Sequence, residues 1–230
     1  MEIAPAVHQV RMLGADAFLI AEERLTLIDA GMVGSRIMLE RYLRRIGRRF
    51  EELERVICTH GHPDHIGGVS ELVRDRDDIT VLMHPDDLAG LRLPLREALA
   101  RTDDRAVRRG RLIQYLTRTP ADPTPIEDGE VLPILGGLRV VHTPGHTPGS
   151  ICLYAPRQRL LFTGDVLQVL RGRLTYASAF FSHDHAGARA SVERLAALDV
   201  GTIALSHYPP WRDNCNGALA GLATRADAAR

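Results

Sequence analysis

An α/β fold is what these 230 residues predict, and three observations carry the expectation. The first half alternates strand, polar loop, helix and strand; the second returns to strands before one long helix; and loops rich in histidine and aspartate fall at strand ends. That last position is where α/β proteins build their sites. Two passages echo each other, VICTHGH at 56–62 and VVHTPGH at 140–146, each a strand breaking into a Gly-His loop. The echo is too weak to establish a repeat.

The elements follow in order. His8–Leu13, Phe18–Glu22 and Leu25–Ile28 have the length and β-branched or aromatic content of strands, and Asp29-Ala30-Gly31 stops the third. Ser35 is placed to cap a helix whose apolar residues Ile37, Leu39, Tyr42, Leu43 and Ile46 recur near helical spacing, with Gly47 as its stop. Glu54–Thr59 is a strand, followed by a polar loop, a short helix over Val69–Arg74, and a strand over Ile79–Met83 ending at His84-Pro85. Residues 86–127 are arginine-rich and end in Pro120, Pro123 and Pro125. They are expected to form a helical cap inserted within a single 1–230 domain, a solvated helical connection being the alternative. Beyond them come strands at Val131–Leu135, Leu138–Val141, Ser150–Tyr154 and, past a turn at Pro156–Gln158, Arg159–Phe162. A helix from about Asp184 to Leu198 and a strand over Thr202–Leu205 complete the set.

Composition narrows the function. The apolar content is 45%, the charged content 25% and the formal net charge zero, a soluble globular chain with nothing to draw it to nucleic acid or an anionic membrane. All 29 basic residues are arginine, which removes Schiff-base chemistry and a phosphate-binding P-loop lysine. Cys58, Cys152 and Cys215 form no C-x-x-C pair; the first two sit in apolar runs and Cys215 is the expected exposed thiol. The N-terminus lacks a basic then apolar leader, and no apolar run reaches the roughly 20 residues of a membrane helix, so the cytoplasm is expected.

The chemistry concentrates in THGHPDHIGG at 59–68, which packs His60, His62, Asp64 and His65 into six positions. Imidazole and carboxylate donors together suit zinc, iron or manganese. In an extended segment, residues two apart project to one side, so His60 and His62 can reach one ion, and Pro63 favours that extended shape. Asp64 and His65 fall on the turn into a helix and can point to a second. Gly67 and Gly68 let the backbone close around such a site. Three further donors end later strands: His146 between two Pro-Gly turns, Asp165 after Gly164, and His207 after IALS. Other histidines suggest less. His183 and His185 flank Asp184 at a helix start, where capping explains them; His142 is a strand end, or a residue bracing the site or facing substrate; His84 is structural; His8 carries no signal.

The ordered set LIDAG, THGHPDH, TPGHTPGS, FTGD and SH resembles the metallo-β-lactamase-fold hydrolase superfamily over roughly residues 7 to 212, and among its members the glyoxalase II-like single-domain type. The resemblance implies a four-layer αβ/βα sandwich with the site at one edge. It assigns His60, His62 and His146 to a first metal, Asp64, His65 and His207 to a second, Asp165 to both, and Asp29 to bracing the histidine loop. It implies two divalent ions, zinc or else iron or manganese, and hydrolysis of a small-molecule ester, thioester or lactone by a two-metal-activated hydroxide, with Asp64 handling the proton. A quorum-quenching lactonase is one alternative: such enzymes usually carry a tyrosine shortly after the shared aspartate, whereas Val-Leu-Gln follows Asp165, and Tyr176 or Tyr208 would have to substitute. A mononuclear-iron persulfide dioxygenase is the alternative from another reaction class, and a non-catalytic scaffold is disfavoured by the intact donor set. The short tail after His207 lowers a glutathione thioester without excluding it. Tyr115, Tyr176, Phe181 and Tyr208, with Phe180 and Trp211, are candidates for a substrate wall, and Arg92, Arg96, Arg105, Arg108 and Arg109 face solvent or an anionic group. The expected partner is a small molecule, with a homodimer compatible.

Overall fold

The computed structural model describes residues 1–92, 122–178 and 181–224. Most of the cap expected over 86–127 lies outside the described residues, as do Tyr115 and Phe180. The chain divides into two units, Met1–Ile126 and Glu127–Arg230.

In the first unit, β1 (Glu2–Ala4), β2 (Val7–Val10), β3 (Ala17–Ala21), β4 (Leu25–Ile28), β5 (Leu53–Ile57), β6 (Thr80–Met83) and β7 (Thr124–Pro125) form one sheet in that order. The strands β1 to β4 run antiparallel as a meander; β4 to β7 pair in parallel. Parallel neighbours need crossovers, and these are α1 (Arg36–Arg45) between β4 and β5, then α2 (Pro63–Ile66) and α3 (Val69–Leu72) between β5 and β6. All four residues of β4 are buried, as strands covered on both faces are. Helix α4 (Pro85–Arg92) follows β6.

Helix α1 ends as its sequence predicts. Gly47 takes φ +71°, its N–H donates to Arg44 O (3.3 Å), and the Arg48 N–H donates to Leu43 O (2.9 Å). This is a Schellman stop. Its start differs from expectation: Ser35 makes no cap bond, and its Oγ instead accepts from the Leu13 N–H at 3.1 Å, tying the loop before β3 to the helix. Ile37 also departs, being 70% exposed, while Leu39 and Leu43 enter the core.

Glycine closes the histidine loop onto β4. A Cβ at Gly68 would stand 2.3 Å from Ala30 O, and one at Gly67 2.4 Å from Pro63 O. We expect Gly68→Ala to cost about 2–3 kcal/mol, since backbone must move. Gly221→Ala, in a helix with nothing within 4 Å, should gain about 0.5–1 kcal/mol. Urea denaturation of both variants checks the contrast.

In the second unit, β8 (Val131–Leu132), β9 (Leu138–His142), β10 (Ile151–Ala155), β11 (Leu160–Phe162) and β14 (Thr202–Ala204) form a sheet ordered β14-β11-β10-β9-β8. The strand β14 lies parallel to β11, with Phe162 opposite Ala204. A hairpin absent from the sequence reading joins β12 (Leu167–Leu170) to β13 (Arg173–Tyr176) through Arg171 and Gly172, both at positive φ, the conformation a tight hairpin needs. Helix α5 (His185–Ala196) begins at Asp184, whose Oδ1 accepts from the Ala186 N–H at 2.9 Å, the cap the sequence predicts. Helix α6 (Cys215–Ala223), also unforeseen, packs with α5 into an apolar core with Val192, Leu195 and Leu219.

That helix corrects the reading of Cys215. The thiol is buried at the start of α6, with its Sγ set against Gly201 O and Trp211 O, each at 3.4 Å. Burial raises all three thiol pKa values, that of Cys152 to about 12. Protonated and enclosed, they are packing residues rather than nucleophiles.

Candidate metal centre

The first unit brings its donors to the C-terminal ends of parallel strands. The chain leaves β5 at Ile57, bends at residues 59–61 instead of running on extended as the sequence suggests, and is extended at His62 (φ −77°, ψ 148°), as Pro63 favours, before turning into α2. His60 Nε2 and His62 Nδ1 stand 3.2 Å apart. Two nitrogens that each bind one tetrahedral ion at about 2.0–2.1 Å are separated by roughly 3.3 Å, so this pair already has the spacing of ligands. His65, on α2, turns its ring to 4.1 Å from that of His60, and its Nε2 lies 3.8 Å from Asp64 Oδ2. The loop therefore holds two adjacent donor pairs, His60 with His62 and Asp64 with His65.

Asp29 sets which ring nitrogens carry the proton and which the lone pair. It is fully buried at φ +61°, a left-handed position that aspartate tolerates better than most side chains. Its carboxylate accepts from the Thr59 N–H (2.8 Å) and from Thr59 Oγ1 (2.8 and 3.0 Å). It also accepts from His65 Nδ1 at 2.7 Å, which places that ring's proton on Nδ1 and the lone pair on Nε2. Thr59 gives its single hydroxyl proton to Asp29, so its oxygen accepts from His60 Nδ1 at 3.1 Å and leaves His60 Nε2 as a lone pair as well. One carboxylate thus prepares two imidazoles.

A further anchor escaped the sequence reading. Asp87, buried on α4, accepts from the Gly61 N–H at 2.7 Å and pins the backbone between His60 and His62. Its only signal is the acidic pair after His84-Pro85. His84 is buried, accepts from the Asp86 N–H at 3.3 Å, and with Asp86 and His142 makes a third group of donors that could hold an ion.

The second unit presents three donors. His146 is buried in a loop whose Gly145 carbonyl accepts from the backbone N–H groups of His183 and Asp184, each at 2.9 Å. A Cβ on Gly145 would stand 2.4 Å from Ala188 N, so this loop rests directly on the first turn of α5. Asp165 and His207 leave neighbouring strand ends, and the Phe162–Ala204 register sets them level. Asp165 Oδ2 lies 3.2 Å from His207 Nε2 and 3.7 Å from His146 Nε2. One carboxylate oxygen faces both histidines.

The remaining candidates make contacts of their own. His142 ends β9, donating from Nε2 to Pro148 O at 2.8 Å, and His8 pairs with the Tyr42 hydroxyl at 3.1 Å. Tyr176 donates its hydroxyl to Leu222 O at 2.6 Å, holding the hairpin to α6. Trp211 bridges Ile203 and donates Nε1 to Asp213 O. Phe181 is exposed and Tyr208 half-buried beside His207. Tyr115 and the arginines of the cap lie outside the described residues or, for Arg92, their described side chains. No described helix is long and apolar enough to cross a membrane.

Imidazole and carboxylate donors grouped on loops beyond strand ends, in each unit of a mixed α/β fold, point to a class, the metal-dependent hydrolases. The chain belongs to the metallo-beta-lactamase superfamily, whose family model matches residues 10–207. The probable metallo-hydrolase YflN of Bacillus subtilis (strain 168) is 29% identical over 246 residues, spanning 97% of this chain and 92% of its own. Hydroxyacylglutathione hydrolase of Pseudomonas aeruginosa (strain LESB58) is 31% identical over 173 residues, 73% of this chain and 52% of that enzyme. Among solved structures, the metallo-beta-lactamase family protein TTHA1429 from Thermus thermophilus superposes with a TM-score of 0.74 at 24% identity, covering 96% of this chain and 79% of that one. TTHA1623 in a di-iron-bound form gives 0.65 at 25% identity, covering 93% and 96%. The fold class expected from the sequence is the one found.

Proposed function

We propose that the two units form one domain with a dinuclear centre, and that the protein hydrolyses an ester, thioester or lactone of a small molecule. His60, His62 and His146 would hold one divalent ion, Asp64, His65 and His207 the other, with Asp165 shared. The observation that carries this reading is Asp165 Oδ2 facing both His146 and His207, as a carboxylate serving two ions should. Such ions supply a water acidic enough to ionise near neutral pH and polarise the carbonyl to be attacked. The residues do the rest. Asp29 and Asp87 hold the histidine loop, and half-exposed Asp64 is placed to take the attacking water's proton and pass it to the leaving group. No side-chain nucleophile is needed.

The acyl class is supported by the relative named as a hydroxyacylglutathione hydrolase, and iron stands beside zinc because one structural neighbour is di-iron. A cytoplasmic setting fits the three free cysteines. The test joins metal quantification on the purified protein to a screen of thioesters, lactones, aryl esters and phosphodiesters. Two ions per chain with turnover of an acyl substrate is the expected result. One iron per chain with oxygen uptake would replace hydrolysis by the dioxygenase chemistry.

A further inference from the structure

Three large apolar side chains of the first unit face solvent beside Asp64. Leu13, between β2 and β3, is 41% exposed, and Met32 and Val33, between β4 and α1, are 41% and 53% exposed. Their backbone is fastened: the Met32 N–H donates to Leu13 O (2.9 Å), the Leu13 N–H to Ser35 Oγ (3.1 Å) and the Gly34 N–H to Glu71 Oε2 (2.9 Å). Glycine brings the group to the site. A Cβ at Gly14, itself at φ +82°, would stand 2.6 Å from Asp64 Cβ and 3.0 Å from Met32 Cγ. Met32 Cγ and Asp64 Cβ therefore both border the space that a methyl on Gly14 would fill. The Val33 backbone runs beside the end of α2, its N lying 3.1 Å from where a Gly67 Cβ would be.

We infer that Leu13, Met32 and Val33 form the subsite for an aliphatic acyl chain that runs outward from the centre at Asp64. The inference rests on the acyl-hydrolase reading and gives its substrate a class. The three side chains carry no charge and no hydrogen-bonding group stronger than a thioether, so they select hydrocarbon over sugar, carboxylate or phosphate. Methionine's unbranched, polarisable side chain adapts to chains of differing shape. The loops are held before any ligand arrives, so little ordering entropy opposes binding. Three side chains also fall far short of the roughly 800 Å² per partner that a stable protein interface buries. The patch is therefore ligand-sized.

Labelling with methyl-13C methionine yields five methyl signals, one per methionine, with that of Met32 assigned by its loss in Met32→Leu. Octanoate and dodecanoate should shift the Met32 signal, the longer chain at lower concentration, and acetate should not. Across an acyl ester or thioester series, kcat/KM should rise about two- to fourfold per added methylene. The L13S/M32S double variant should flatten that slope chiefly through KM, whereas L170S, at an equally apolar position 58% exposed in β12, should retain it. A Met32 signal unmoved by octanoate, or a slope kept in the double variant, overturns the subsite. So does a Met32 shift that follows protein concentration alone, which reports a second copy. If octanoate moves Met32 but no acyl substrate is hydrolysed, the subsite stands and the hydrolase reading fails.

Discussion

Alanine at His62 or at Asp165 is expected to abolish turnover and to remove bound metal, with distinguishable stoichiometry. His62 is assigned to one ion, so His62→Ala should lose that ion and retain most of the other. Asp165 faces histidines assigned to both, at 3.2 and 3.7 Å, so Asp165→Ala should weaken both. Groups that merely orient metal ligands cost about 10- to 100-fold in affinity or activity when removed. Direct donors should exceed that range. Neither variant should unfold the metal-free protein, because both side chains are partly exposed and contribute little to the apolar core. Metal content by mass spectrometry, turnover, and the melting temperature of the metal-free protein separate loss of coordination from loss of fold. Metal content and turnover intact in both variants would end the dinuclear reading.

The second large effect is expected at Asp29, which should divide stability from metal readiness. Removing the carboxylate by Asp29→Ala strands the Thr59 N–H, the Thr59 hydroxyl and His65 Nδ1–H in a fully buried place. At about 1–3 kcal/mol for each unsatisfied buried group, a loss of at least about 3 kcal/mol follows. Asp29→Asn keeps the shape and one acceptor for Thr59, so it should cost less stability. Yet its NH2 group donates where the carboxylate accepted, and His65 must then move its proton from Nδ1 to Nε2. That places a hydrogen where a lone pair is needed. The asparagine variant should therefore fold and still bind metal about 10- to 100-fold more weakly. Competition with a chelator measures the affinity, and nitrogen-15 spectra of the imidazoles report the tautomer. An asparagine variant with unchanged affinity and tautomer would remove Asp29 from the site's preparation.

Much of the candidate centre is legible because the donors proposed for it are dense in sequence. His60, His62, Asp64 and His65 lie within one loop, and Pro63 constrains its shape through local sterics alone. Gly47 announced the end of α1 for the same reason, since a left-handed stop needs no information from elsewhere in the chain. What was missed depends on distant partners. Asp87 acts on Gly61 across 26 residues, and nothing near it in sequence marks a buried carboxylate bound to a loop amide. Ser35 looked like a cap and instead serves Leu13, 22 residues away. Cys215 looked exposed beside polar residues, but α6 turns it into the core. The β12–β13 hairpin was overlooked because its short apolar runs carry weak alternation.

Sequence alone determined the kind of chemistry here, because donor types and the local bends that expose them are properties of short segments. Tertiary structure decided how those donors are prepared. Parallel pairing of β4 with β5 sets Asp29 beside Thr59 and within reach of His65, and the register of β11 with β14 sets Asp165 level with His207. A tautomer is chosen by whichever group faces the other ring nitrogen. For His65 that group lies 36 residues away in the chain and 2.7 Å away in space, so folding, rather than the motif, puts the lone pair on its Nε2.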